Sequence, residues 1–171
     1  MPRIRDEEPV DSETVRALLI EAFGGDAEAR LVDRLRASNK CLISLVAEEG
    51  GRVLGHVLFS PIAIDIETGE EKSAIALAPL AVHPAFQRLG IGSALSSAGL
   101  ARLRDAGHER VLVLGDPAYY PRFGFQPAAR YKVRCPFPAP EEAFMALELQ
   151  PGAFANCAGM AVYGPEFDDL E

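Results

Sequence analysis

The chain has 171 residues, 49% of them hydrophobic, and 17 Lys and Arg against 25 Asp and Glu give a formal net charge of −8. That length suffices for one domain with a substantial core. The acidic balance argues against a nucleic-acid partner, which selects a basic stripe, and suits long-range steering of a cationic substrate. No apolar run approaches the ~20 residues of a membrane span. The opening "MPRIRDEEPVDSE" lacks the apolar core of a signal peptide, so a cytoplasmic location away from membranes is expected. Cys41, Cys135 and Cys157 are odd in number and far apart, with no CxxC pair. They read as buried free thiols in a reducing compartment, and no metal site is expected.

In chain order, "PRIRDEE" reads as a short opening strand. Asp11 or Ser12 caps a helix carrying Val15, Leu18, Leu19 and Ala22 on one face, closed by Gly24-Gly25. Asp26 is placed to cap a second helix with Ala27, Leu31 and Leu35 along one side. From Lys40 the pattern turns to strands. "CLISLVAEE", "RVLGHVLFSPIAIDIE" and "EKSAIALAPLAV" are separated by the turn sequences "EGG" and "TGE", which predicts an antiparallel three-strand meander.

After Gly90 the helical period returns, with Ile91, Leu95, Gly99, Leu103 and Ala106 on one face and Gly107 as the C-cap. "RVLVLG" is a continuous apolar run and predicts a buried strand parallel to the strand before the helix. "PAYYPRFGF" predicts a short helix leading into another strand. In the Pro-rich last forty residues, "AFMALEL" and "GMAVYG" read as strands. The sum is one α+β domain over residues 1–171, with a mixed, mostly antiparallel sheet flanked by helices.

Gly90 and Gly92 lie where a strand ended by Pro84 turns into a helix. Glycine lets ligand oxygens approach the backbone. The first amides of a helix lack internal partners and sit at the positive end of its dipole. These features together make an anion site. A P-loop is excluded because no GK[ST] follows, and the dinucleotide fingerprint fails because Leu95 holds the third glycine's position.

"LAVHPAFQRLGIGSAL" followed by "YYPRFGF" resembles the GNAT superfamily of acetyl-coenzyme A-dependent N-acetyltransferases. The family's Q/R-x-x-G-x-G/A loop is matched by Gln87 to Gly92, and the preceding V-x-P by Val82-His83-Pro84. Its Tyr four residues before a G-F pair is matched by Tyr120 and Gly124-Phe125. The chain is similar in particular to a bacterial branch of predicted N-acetyltransferases that ends near a "YGPEF"-like segment, here Tyr163 to Phe167. The order of elements agrees over nearly the whole chain.

The resemblance implies a GNAT fold with a splayed parallel strand pair and acetyl-coenzyme A as cofactor. The pyrophosphate would bind the loop amides of Gln87, Arg88, Leu89, Gly90, Ile91, Gly92 and Ser93. The pantetheine arm would add along Leu80, Ala81 and Val82. Pro79, with no N–H, fits a local bulge where the two parallel strands part. The partner would be a small-molecule or peptide amine, and homodimers are common among members.

Acetyl transfer to an amine needs a neutral nucleophile, oxyanion stabilisation and a proton for the departing thiolate. Tyr120 is the candidate acid, and the backbone N–H of Leu80 or Val82 the candidate oxyanion donor. "AIALAPLAV" has no carboxylate where many relatives carry a Glu base. His83, with an ordinary pKa of about 6.5, is the remaining candidate base, beside direct attack by an amine already neutral or deprotonated through water. Asp116 at the end of the second parallel strand stands where relatives often carry an Asn that helps hold cofactor or substrate in the catalytic site. Asp116 equally suits capping the short helix from Pro117. The missing carboxylate keeps open a second reading, a non-catalytic acyl-coenzyme A-binding module that acts through a protein partner.

Overall fold

The computed structural model describes residues 1–170. Among them are nine strands: β1 (Arg3–Asp6), β2 (Ile43–Glu49), β3 (Arg52–Ile66), β4 (Glu71–Val82), β5 (Arg110–Leu114), β6 (Gln126–Pro127), β7 (Val133–Arg134), β8 (Phe144–Glu148) and β9 (Gly159–Val162). Three α-helices join them: α1 (Ser12–Phe23), α2 (Ala27–Ala37) and α3 (Ile91–Asp105). Pairing is mostly antiparallel, with parallel contacts at β4–β5 and β7–β9. The fold is the mixed α+β class read from the sequence. The chain gathers into two compact units.

The first unit comprises Met1–Ser60, Ala78–Arg102 and Leu170. In it β1 pairs with β2, Arg3 opposite Glu48, and β2 with β3, Ile43 opposite Phe59. Helix α1 buries Val15, Leu18 and Leu19, and α2 buries Ala29, Leu31, Val32 and Leu35. The three- and four-residue spacing in the sequence is thus the core-facing stripe. Neither proposed cap works through its side chain. Asp11 is the N-cap residue of α1, but Arg5 Nη1 and Nη2 donate to its two carboxylate oxygens at 2.8 and 3.0 Å. Asp26 pairs with Arg30 at 3.4 Å instead of bonding the first turn of α2. A charge-assisted fork outcompetes a single cap bond. Arg5 also reaches Glu48 at 2.6 Å, and its hydrogen bond holds the Asp11 carboxyl below the usual range.

His56 is fully buried in β3 of this unit, so it is a core residue. Ser44 Oγ donates to Glu7 Oε1 at 2.7 Å, and Arg36 donates to the other Glu7 oxygen. With the Ser44 proton so used, His56 Nε2 must be the donor of its 2.9 Å bond to Ser44 Oγ. His56 Nδ1 then has no partner among the described residues. Burial, helped by the Arg36 charge, pushes the imidazole pKa down to about 3.

The second unit comprises Pro61–Leu77 and Leu103–Asp169. Strand β4 pairs in parallel with β5 at Ile75–Val111 and Ala76–Leu112, and among the described residues this pairing stops at Ala76, short of Pro79. Strand β8 runs antiparallel to β5 along its whole length, from Arg110–Glu148 to Leu114–Phe144. Strand β9 adds to β3, where a Cβ at Gly159 would lie 2.1 Å from the Asp65 carbonyl oxygen. Only glycine permits that approach. The buried Arg110 is satisfied by carbonyls, donating from Nε to Ala153 at 2.6 Å and from Nη1 to Ser73 at 3.1 Å. Of the three free thiols, all expected to be buried, only Cys157 is; Cys41 and Cys135 are half-exposed, whereas Cys157 packs with its Sγ against the Ala153 carbonyl.

Candidate functional site

The residues singled out from the sequence fall into two groups. The first runs from Leu80 to Ser93 in the first unit. The His83 N–H donates to the Leu54 carbonyl at 2.8 Å, one residue past the end of β4. Pro84–Phe86 make a single 3-10 turn, and Gln87 Nε2 donates back to the Val82 carbonyl at 3.1 Å. Then Arg88 and Gly90 both adopt left-handed backbone, at φ 65° and 88°. This places the chain at the head of α3, whose first internal bond is Ala94 N–H to Gly90 O at 3.0 Å. The Ile91 and Gly92 amides precede that bond and have no carbonyl four residues back inside the helix. Gly90 is exposed, with open space where a Cβ would be, and Arg88 and Leu89 are exposed beside it. Ala81 and Ile91 are buried and anchor the two ends of the loop.

His83 is tied down on both ring nitrogens. Nδ1 accepts the Ala85 N–H at 3.1 Å, which puts the proton of the neutral ring on Nε2. Nε2 lies 3.5 Å from Glu21 Oε2 and 3.4 Å from Arg52 Nη2. Arg52 also covers the Phe86 ring at 5.2 Å, and His83 meets that ring edge-on at 5.5 Å. Glu21 and Arg52 are members of this cluster that the sequence pattern gave no way to find. They come from α1 and β3, far from the loop in sequence.

The second group lies in the second unit. Asp116 follows β5, and its Oδ1 accepts the Ala118 N–H at 2.8 Å in a turn. The helix expected from Pro117 begins only at Tyr120, with Tyr119 as its N-cap, so Asp116 does not cap it. Its carbonyl accepts the Tyr119 and Tyr120 amides at 3.0 and 3.2 Å. These bonds wind the chain into the 3-10 turn Tyr120–Phe123, which Gly124 closes at φ 98°. Tyr120 is buried, edge-on to Tyr119 at 5.0 Å and to Phe125 at 5.8 Å. Its ring lies on Gly115, where a Cβ would come 2.5 Å from Tyr120 Cε2. Burial first, then Tyr119 and Asp116, holds the phenol well above its ordinary range. Tyr120 is therefore a neutral donor at any physiological pH. Arg122 caps the outer face, stacked on Tyr119 at 4.2 Å, with Nε donating to the Tyr119 carbonyl at 2.8 Å. Among the described residues no cluster of His, Cys, Asp or Glu suits a metal ion, and no helix is long and apolar enough to cross a membrane.

Residues 12–125 match the model of the acetyltransferase (GNAT) family. The chain is 39% identical over 166 residues to an uncharacterized N-acetyltransferase, YhbS, of Escherichia coli K12, covering 96% of this chain and 98% of that one. The crystal structure of Escherichia coli YhbS in complex with CoA superposes with a TM-score of 0.92 at 37% identity, over 99% of this chain and 93% of that one. A GNAT family acetyltransferase from Brucella melitensis in complex with acetyl-CoA gives a TM-score of 0.80 at 38% identity, over 98% and 99%.

Proposed function

The chain belongs to the acetyltransferase (GNAT) family, and on that premise we propose that it uses acetyl-CoA to acetylate a primary amine of a small molecule or peptide. The observation that carries this reading is the loop from Gln87 to Ser93. Two left-handed residues, Arg88 and Gly90, turn its backbone at the positive end of a 15-residue helix. The loop suits a pyrophosphate, since among the described residues nothing fills the space a Cβ at Gly90 would take and the Ile91, Gly92 and Ser93 amides open the helix. Two relatives of 37% and 38% identity are known in complex with CoA and acetyl-CoA.

Acetyl-CoA would supply the acetyl group, activated as a thioester. The residues Leu80, Ala81 and Val82 hold the pantetheine arm as an added strand, and a backbone N–H of Leu80 or Val82 stabilises the charge that develops on the thioester oxygen. The amine lone pair attacks the acetyl carbon, the carbon–sulfur bond breaks, and the nitrogen's proton leaves. Tyr120 donates a hydrogen bond, then a proton, to the departing thiolate, and the phenolate recovers a proton from the water that carries the amine's proton away. Burial keeps the phenol neutral, which supports the hydrogen bond to the thiolate; the same burial makes the proton transfer itself uphill, so the hydrogen bond is the larger part of the role.

The amine's proton goes first to water. His83 is the protein group proposed to take it onward, at Nδ1, and doing so costs the Ala85 hydrogen bond. Asp116 acts as a positioning residue that winds the turn carrying Tyr120, and its exposed carboxylate has a second oxygen to attract an incoming ammonium. Strand β4 carries no carboxylate after Glu71, so catalysis is mainly positioning.

The deciding experiment is thiol release from acetyl-CoA across a broad amine panel. Amine-dependent release supports the enzyme. Silence across the panel, with acetyl-CoA still raising the Tm, points instead to an acyl-CoA-binding module. Silence with no thermal shift removes the acetyl-CoA assignment.

A further inference from the structure

The second unit carries a cavity of about 360 Å3, within the size range of small-molecule sites. Its lining includes two carboxylates, Glu67 and Glu141, two cations, Lys132 and Arg134, and two aromatic rings, Phe137 and Phe144. Among the described residues none of these four charged side chains has an ion-pair or hydrogen-bond partner. All four are exposed, and exposed charges without a partner also occur elsewhere among the described residues, at Glu13, Glu71, Arg88, Arg104 and Asp105, so it is the gathering of both signs around one cavity that sets these four apart. Charges of both signs around one cavity of mixed polar and apolar lining, unpaired with each other, suit a ligand that brings both opposite charges. A simple cation would meet Lys132 and Arg134 as like charges, and a simple anion would meet Glu67 and Glu141. A zwitterion satisfies all four through charge-assisted hydrogen bonds.

The cavity adjoins the seat of Tyr120. The Tyr120 ring lies on Gly115, the Gly115 N–H donates to the Ala143 carbonyl at 2.9 Å, and Ala143 stands between Glu141 and Phe144. Phe144 itself pairs with Leu114 at the end of β5. A wall of the cavity is thus built on the same backbone that positions the proposed acid.

We propose that this cavity is the acceptor site and that the acceptor is a zwitterionic amine, an α-amino acid with an apolar side chain. This rests on the acetyltransferase reading above. Glu67 and Glu141 receive the amino group, Lys132 and Arg134 hold the carboxylate, and Phe137 and Phe144 cover the side chain.

The test compares thiol release from acetyl-CoA with phenylalanine, leucine and methionine, each beside its own decarboxylated amine, for example phenethylamine. The expected kcat/KM for at least one amino acid exceeds that of its decarboxylated partner by about 10- to 100-fold, as for a charged hydrogen bond gained. That ratio falls towards one in the variant Lys132→Asn with Arg134→Gln. Asn is chosen because Lys132 sits at φ 60°, which Asn tolerates. Ratios near one for the whole panel, or ratios the variant leaves unchanged, overturn the proposal. Should no amine release thiol, calorimetric titration of the amino acids decides. Binding that the variant weakens keeps the cavity as a zwitterion site and removes only acetyl transfer; no binding overturns the site itself.

Discussion

The ring of Tyr120 occupies the space a side chain at Gly115 would need, with Cε2 only 2.5 Å from the position of a Cβ. The contact is backbone against a buried ring, so neither can give way cheaply. Gly115→Ala is expected to displace the phenol, lowering kcat about tenfold or more through misplacement alone. KM for acetyl-CoA should change little, because the glycine loop is untouched. Steady-state kinetics of Gly115→Ala beside Gly115→Ser check this, and an unchanged kcat in both would separate Gly115 from the chemistry.

Tyr120→Phe keeps the ring and removes the donor. A fall in kcat of about 10²-fold is expected, in the range of general acid catalysis, with the acetyl-CoA thermal shift retained. Burial holds the wild-type phenol above its ordinary range, so the wild-type rate should show no loss assignable to Tyr120 ionisation up to about pH 10. A pH–rate profile of the two proteins reads both effects.

Gly90 turns the loop at φ 88° with open space around it. Substitution there strains the backbone rather than clashing. Gly90→Val, β-branched and unfavourable at positive φ, should raise KM for acetyl-CoA about tenfold or more while the fold, followed by circular dichroism, is retained. An unchanged KM would take the loop out of cofactor binding.

Acid should unfold the protein in two stages. His56 is neutral when folded, its pKa pushed down to about 3, whereas the unfolded chain takes up that proton near 6.5. Its contribution is complete above about pH 6.5 and is lost as pH falls from there towards 3. Asp11 is held low by Arg5, so its contribution is lost only below about pH 4. Denaturant unfolding across pH should therefore show a decline beginning near 6.5 that His56→Gln flattens. Asp11→Asn should leave that upper part intact and blunt the fall below 4.

Packing makes a last test. A Cβ at Gly99 would lie 2.1 Å from Cε2 of the fully buried Phe59. Gly99→Ala should cost about 1–3 kcal/mol by overpacking, despite alanine's better helix propensity. A melting curve checks the sign.

The sequence by itself determined the order and kind of the main elements. Hydrophobic period, turn residues and glycine position are local properties, and the chain from Glu71 to Val82 forms the strand its pattern predicts. The same locality made the Gln87–Ser93 loop, the 3-10 turn after Asp116 and the family resemblance legible. Strand β6 follows "PAYYPRFGF" where a strand is expected, but the two-residue β7 was not legible, because so short a stretch has no period and it owes its pairing to β9. Tertiary structure alone decided which charges meet. It gave Asp11 to Arg5 rather than to the first turn of α1, placed Glu21 and Arg52 on His83, and buried His56 behind Ser44 and Glu7. It also left Glu67, Lys132, Arg134 and Glu141 unpaired around one cavity. These partners are separated by up to 74 positions within the cavity, and which of them meet is fixed by strand register and packing across the fold, not by any spacing along the chain.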